Sequence, residues 1–223
     1  MNSPSASLSP VLRLNDLRVD RSGNRILNGL GLVVQAADRV VIEGSIGAGK
    51  SSLLWAIIGL IESSAGTIEI LGRRCRAEVD FAPLRGRVAL LFQDPDEQLI
   101  GPTVLEDVQF GPLNRGVDEV SALRRAHTAL SQLGIDDLAN RSVRSLSGGQ
   151  KRLVALAGLL SMDPELWLLD EPTTGLDAVA AQLVIRTLAE SQRPMVLVSH
   201  DTECIKALAT RRCRLQAGLL VEL

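Results

Sequence analysis

Gly44-Ser45-Ile46-Gly47-Ala48-Gly49-Lys50-Ser51 limits what this chain can fold into more than any other stretch. It has the form G-x-x-x-x-G-K-[ST] and lies between a strand-like run, RVVIEG, and an apolar helical pattern, SSLLWAIIGL. The glycines let backbone N–H groups turn inward around phosphate oxygens, where a side chain would clash. The helix that follows, with Ser52 in its first turn, presents unsatisfied N-terminal donors and the positive end of its dipole to the same anion. Lys50 then reaches toward β- and γ-phosphates, and the Ser51 hydroxyl is placed to ligate Mg²⁺. A structural glycine turn would match the same short pattern, but the strand before and the helix after favour the phosphate loop.

Two later strand ends fit this loop. LWLLD (166–170) is an apolar run that ends in Asp170 and Glu171. In a parallel sheet those acids stand at the carboxyl edge, where nucleotides bind in open α/β folds. Asp170 suits Mg²⁺, directly or through water, and Glu171 could polarise an attacking water. PMVLVSH (194–200) ends in His200, whose neutral imidazole can hydrogen-bond a γ-phosphate and that water. His127 lies inside a helical pattern with no such company.

Elsewhere the pattern gives strands at 11–19, 26–35, 66–71 and 87–92, and a final short hairpin. Helices are expected at 118–134, from Gly148 to Leu160 and at 178–191. Strand–helix alternation argues for a parallel α/β core, and the mainly helical block near 95–160 reads as an inserted lobe. The Ser/Pro-rich residues 1–10 are expected to be a mobile tail before a single domain over 11–223. No apolar run approaches the ~20 residues of a membrane-spanning helix, so a soluble chain is expected. A net charge of −2 gives no reason to expect a nucleic-acid partner. Cys75, Cys204 and Cys213 form no CxxC pair and suit a reducing compartment. Cys204, four residues after His200, makes no metal site with it.

The stretch QDPDEQLIGPTVLEDVQFGP (93–112) interrupts a good strand with Gln93 and then five acids and three prolines. Pro95 and Pro102 discourage helix continuation. Thr103 is a plausible N-cap for VLEDVQF, with Glu106 at the capping-box position. Further on, Leu146-Ser147-Gly148-Gly149-Gln150 reads LSGGQ, in which Ser147 can cap the next helix and the glycines allow close approach to an anion.

With LSGGQ in place, the ordered motifs resemble the ATP-binding subunit of an ATP-binding cassette (ABC) transporter over about residues 11–223. The resemblance implies an α/β fold: a P-loop NTPase ABC ATPase core with an N-terminal antiparallel β subdomain and an inserted α-helical subdomain. It implies ATP and Mg²⁺ as ligands, with residues 44–52 and Gln93 on the nucleotide. Ser51, Gln93 and Asp170 would lie at Mg²⁺, and Glu171 and His200 would be catalytic. Residues 146–150 would face the γ-phosphate bound by a second ATPase subunit, and Asp177 in the Gly175-Leu176-Asp177 turn would contact that subunit.

The segment after Gln93 looks most like the energy-coupling-factor importers, which take up vitamins or transition-metal ions such as cobalt or nickel. It implies a transmembrane coupling protein and a substrate-binding membrane component as partners, at the cytoplasmic face of the membrane. The length after His200 resembles the shorter ATPases of such systems. An exporter or lipoprotein-release ATPase shares every catalytic motif and differs after Gln93. DNA-repair relatives usually carry a long coiled coil between the two nucleotide motifs, and translation-associated relatives two cassettes with a basic linker. Two departures stand out. Ile46 replaces the usual asparagine. No tyrosine is present to stack on adenine, and Asp20-Arg21-Ser22 occupies that neighbourhood. Arg21 could stack by its guanidinium plane or stand as a solvated turn residue, and weaker or less base-selective nucleotide binding is expected.

Overall fold

Strands buried on both faces gather in one sheet, and strands buried on one face form a second sheet and the final-hairpin end of the first. The computed structural model describes residues 9–223, so the expected tail at 1–10 lies almost wholly outside the described residues. In chain order the strands are β1 (Leu12–Arg21), β2 (Asn24–Val34), β3 (Arg39–Glu43), β4 (Ala65–Ile70), β5 (Arg73–Cys75), β6 (Val88–Leu91), β7 (Leu166–Asp170), β8 (Met195–Val198), β9 (Arg211–Gln216) and β10 (Leu219–Glu222). The helices are α1 (Lys50–Ile57), α2 (Glu78–Phe81), α3 (Val104–Asn114), α4 (Glu119–Gln132), α5 (Gly148–Met162), α6 (Ala178–Glu190) and α7 (Thr202–Leu208).

The larger sheet has the order β10-β9-β3-β8-β7-β6, parallel throughout except for β10 at its edge. Strands β3, β8, β7 and β6 are near-continuous apolar runs because both faces are covered. The two-residue pleat deals their side chains alternately to two cores. Val40, Ile42, Leu166, Leu168, Val196 and Val198 join one core with α1 and the smaller sheet. Val41, Trp167, Leu169, Met195 and Leu197 join the other with α3 to α7. The smaller sheet, β2-β1-β4-β5, is antiparallel. Helix α1 has little apolar asymmetry because Leu53, Leu54, Ala56 and Ile57 are all fully buried beneath it.

Most expected elements appear within a residue or two, and three are new. Strand β5, helix α2 and helix α7 were too short for periodicity to reveal. The final hairpin does more than close the chain, because β9 pairs in parallel with β3 and extends the main sheet. Arg211 fastens it by donating to Val33 O at 2.7 Å while pairing with Asp38 at 3.0 Å and Glu222 at 2.9 Å. Pro95 does not stop a helix. It opens a short 3₁₀ turn, Pro95–Glu97, where its missing N–H is harmless, and Asp94 caps that turn through Asp96 N at 2.9 Å. The expected capping box at α3 is present: Thr103 N donates to Glu106 Oε2 at 3.1 Å and Glu106 N to Thr103 Oγ1 at 3.4 Å.

Leu168 is fully buried at the centre of the main sheet, in register with Leu90 and Val196. Leu168→Ala should cost about 2–5 kcal/mol of unfolding free energy in urea titrations, the range for a truncated buried leucine.

Asp107 offers a pH-dependent contrast. Its Oδ1 accepts from Ile100 N at 2.7 Å and Gly101 N at 2.6 Å, fixing the loop ahead of α3. Burial raises its carboxyl above the ordinary value, with the two backbone N–H groups pulling the other way. The folded state therefore keeps this proton where the unfolded chain has lost it, and stability falls as pH rises from the ordinary carboxylate range through the raised value. Asp107→Asn keeps an Oδ1 acceptor without the charge. Its stability relative to the original chain should rise across that window and level off above it, as read by urea denaturation over a pH series.

Candidate functional site

The parallel register of β3, β7 and β8 brings the three sequence-predicted strand ends to one edge of the sheet. The loop after β3, Asp170 and Glu171 after β7, and His200 after β8 border one cleft of about 510 Å³. Its wall includes Ile46 to Ser52 and Gln93, and it closes on the far side with Arg21 and Ile26. Gly44 and Ser45 contribute carbonyl oxygens instead, since Lys50 Nζ donates to Gly44 O at 2.7 Å and Ser45 O at 3.0 Å.

Gly49 has to be glycine here. It precedes α1 in a left-handed conformation with φ of 98°, and an added Cβ would lie 2.4 Å from Ile26 Cγ2. The first turn of α1 carries no acidic residue and its N-cap makes no side-chain bond, so its backbone donors remain open to an anion. Lys50 is buried at 9% exposure beside this turn.

Asp170 is 2% exposed, and its Oδ2 is a buried atom with no hydrogen-bond partner. Burial raises its carboxyl above the ordinary range, while the Ser51 hydroxyl, Lys50 and Arg152 pull it back. An orphaned carboxylate oxygen near a serine hydroxyl, in a cleft also lined by a glutamine, offers the oxygen donors a hard divalent cation such as Mg²⁺ takes. Ser51, Gln93 and Asp170 therefore fit that ion.

Glu171 is also buried, at 8% exposure, and has a left-handed backbone with φ of 52°. Such a conformation costs a non-glycine residue about 1–3 kcal/mol and is retained only where neighbours hold it. Here His200 N donates to its Oε2 at 3.3 Å, Thr174 Oγ1 donates at 3.5 Å, and His200 Nε2 lies 3.5 Å from Oε1. This carboxylate can take up a proton, or orient a water, at the open side of the cleft. Nearby, Thr173 Oγ1 donates to Asp201 Oδ2 at 2.9 Å, tying the β7 and β8 ends together.

The structure does not bring Leu146 to Gln150 into this cleft. Leu146 is buried, whereas Ser147 and Gly148 lie exposed at the start of α5. Ser147 caps that helix: its Oγ accepts from Gln150 N at 3.3 Å, and its N donates to Gln150 Oε1 at 3.0 Å. Asp177 likewise caps α6, accepting from Ala180 N at 2.9 Å, and stands apart from the cleft. His127 lies on α4, away from the site.

Arg21 is not a free turn residue. Its guanidinium lies 5.1 Å from the Trp55 ring centroid while it lines the cleft. Sequence reasoning named Arg21 but missed Trp55, together with Ile26, Thr174 and Val198 on the cleft wall. Trp55 sits in the helix of the phosphate loop, and an indole among aliphatic residues was the available signal. Arg152 was also missed, although a lone arginine two residues after LSGGQ on an apolar helix was visible.

A second concavity, a groove of about 740 Å³, lies between α3, the 82–87 segment and the end of α5. Phe110 and Ile100 are exposed in it, beside Arg85, Arg87 and Arg115.

Comparison with known proteins bears on all of these features. A family model described as "ABC transporter" matches residues 27–174. An uncharacterised ABC transporter ATP-binding protein of Haemophilus influenzae is 42% identical, over 90% of this chain and 92% of that protein. The energy-coupling factor transporter ATP-binding protein EcfA of Methanothermobacter thermautotrophicus is 40% identical, over 95% of this chain and 70% of that protein. Among solved structures, cbiO1 from Clostridium perfringens, described as part of the ABC transporter complex cbiONQ, superposes with a TM-score of 0.82 at 29% identity, covering 96% of this chain and 88% of that one. Agreement over so much of the sequence, on a fold of the same kind, makes this chain a member of the ABC transporter family, an ATP-binding subunit with ATPase activity.

Proposed function

We propose that this chain energises import of a vitamin or a transition-metal ion, such as biotin, cobalt or nickel, from the cytoplasmic face of the membrane. It would do so as one of two ATPase subunits beneath a transmembrane coupling protein and a substrate-binding membrane component. The observation that carries the ATPase half is the convergence of residues 46–52, Gln93, Asp170, Glu171 and His200 on one cleft. The importer half is supported by the 40% identity to an energy-coupling factor ATPase and by the segment after Gln93, which leaves the sheet toward the groove at Phe110. Among the described residues no helix is long and apolar enough to cross a membrane, so movement of cargo has to be the work of partners.

In this reading the open amides of α1 and the Lys50 ammonium hold the β- and γ-phosphates of ATP. Ser51, Asp170 and Gln93 would hold Mg²⁺, whose charge would offset that of the phosphates when bound. Glu171 orients the attacking water and accepts its proton. His200 hydrogen-bonds the γ-phosphate and holds the Glu171 carboxylate in place. Arg21, backed by Trp55, walls the cleft where a base would lie, and its plane stacks on any base rather than selecting one.

The cleft is incomplete within one chain, because Ser147 and Gly148 open to solvent elsewhere. Ile46, 96% exposed at the tip of the phosphate loop, supports a covering partner. Two chains facing each other would place each LSGGQ segment over the other's nucleotide. The groove, apolar at Phe110, Ile100 and Met162 and basic at Arg85 and Arg115, suits an apolar partner segment bearing acidic side chains.

Two variants test the shared site. Glu171→Gln should retain nucleotide binding and lose about 100-fold or more in kcat, the scale of a general base. Ser147→Arg should block the partner's site. Mixing the two inactive variants should restore turnover, because one site of the mixed pair then has both an intact Glu171 and an intact Ser147. No recovery would count against the two-chain site. The transport assignment is tested by purifying the chain with its membrane partners and identifying them by mass spectrometry. Recovery of a substrate-binding membrane component with a coupling protein is expected, and recovery of an exporter-type membrane protein would reject the importer reading.

A further inference from the structure

Arg152 is 4% exposed in the apolar body of α5, an unusual place for a guanidinium. Nη1 donates to Phe92 O at 2.7 Å and Nη2 donates to Gln93 O, while Nε has no partner. Both acceptors are backbone carbonyls on the segment that leaves β6, and one belongs to the residue that lines the cleft. The same helix holds this segment at two more points. Gln98 bridges them, accepting from Phe92 N at 3.2 Å and donating to Ala155 O at 2.9 Å. Lys151 Nζ lies 2.5 Å from Asp96 Oδ1. Residues 92–98 are thus fastened side by side to the helix that begins with LSGGQ.

We propose that Arg152 is a positioning residue that locks the Gln93 segment to α5, so that Gln93 in one nucleotide site and the LSGGQ residues serving the partner's site shift as one piece. The proposal rests on the two-chain ATPase reading above. A packing role alone would not require a buried cation, since methionine or leucine fills similar volume without desolvating a charge. Two carbonyl oxygens on consecutive residues match the planar fork of a guanidinium, which an ammonium cannot reproduce. Asp170, Asp94 and Glu171 are the acidic groups that offset the desolvation of the Arg152 guanidinium.

The test uses the full chain with Arg152→Met, Arg152→Lys and, as an uncharged route to the same fastening, Gln98→Leu. In the nucleotide-free protein, amide hydrogen exchange of residues 92–98 should accelerate about tenfold in Arg152→Met while the strands of the main sheet keep their protection. Nucleotide binding in EDTA should stay within about twofold, while kcat with Mg²⁺ falls about tenfold, the usual loss when an outer supporting residue is removed. Arg152→Lys should recover only part of both effects. Unchanged exchange at 92–98 would overturn the proposal. So would faster exchange spread through the whole chain with a matching loss of EDTA-resistant binding, which would mean a structural role only. Should Arg152→Met fail to fold, Gln98→Leu carries the same local expectation, and unchanged exchange there overturns it equally. Absence of nucleotide binding in the original chain would instead defeat the ATPase reading, with the exchange measurement still deciding the fastening.

Discussion

A carboxylate buried at the end of a central strand costs several kcal/mol unless opposite charge and hydrogen bonds compensate it, and Asp170 is such a group. One of its oxygens has no partner, and its charge is offset by Lys50 from the loop and Arg152 from α5. Those cations come from opposite cores of the molecule. The carboxylate is therefore tolerable only when β7, α1 and α5 are all docked. What those cations leave unmet is a lone pair on Oδ2, so the arrangement keeps one open acceptor at the sheet edge.

The rest of the cleft follows from the same sheet. Because β3, β7 and β8 run parallel and in register, their carboxyl ends emerge together, and whatever side chain follows each strand faces its neighbours. Glu171 adopts a left-handed backbone there and is held by His200 N and Thr174, so the strain is balanced within the site itself. The sheet also sets which core each residue joins. One residue of slip in β7 would exchange Leu168 for Trp167 and remove Asp170 from the cleft.

The legible part of this structure was the part written in short-range pattern. Apolar runs gave the buried strands, and fixed motif spacings gave the loop, the acidic strand end and the capped helix at Ser147. What escaped was set by pairing distant in sequence. Nothing near Arg211 says that β9 will lie beside β3, and β5 and α7 are too brief for a period to show. Arg21 was noticed, yet its partner Trp55 lies in another element, and only packing joins them. Pro95 continues no helix, and the turn it opens was not visible because proline is compatible with the first position of a helical turn as well as with its end.

The two halves of the chain's chemistry face different directions, and this separation is itself informative. One cleft is shaped for phosphate, while Ser147 and Gly148 lie exposed at a helix start outside it. Under the two-chain reading proposed above, this exposed helix start finds its anion on a second nucleotide. The segment 92–98 lies between that helix and the Phe110 groove and is fastened to the helix by Arg152 and Gln98. Motion of α5 on closing over a partner must therefore reach both Gln93 and the chain leading to the groove. A rigid fastening of this kind transmits movement without any residue changing its neighbours.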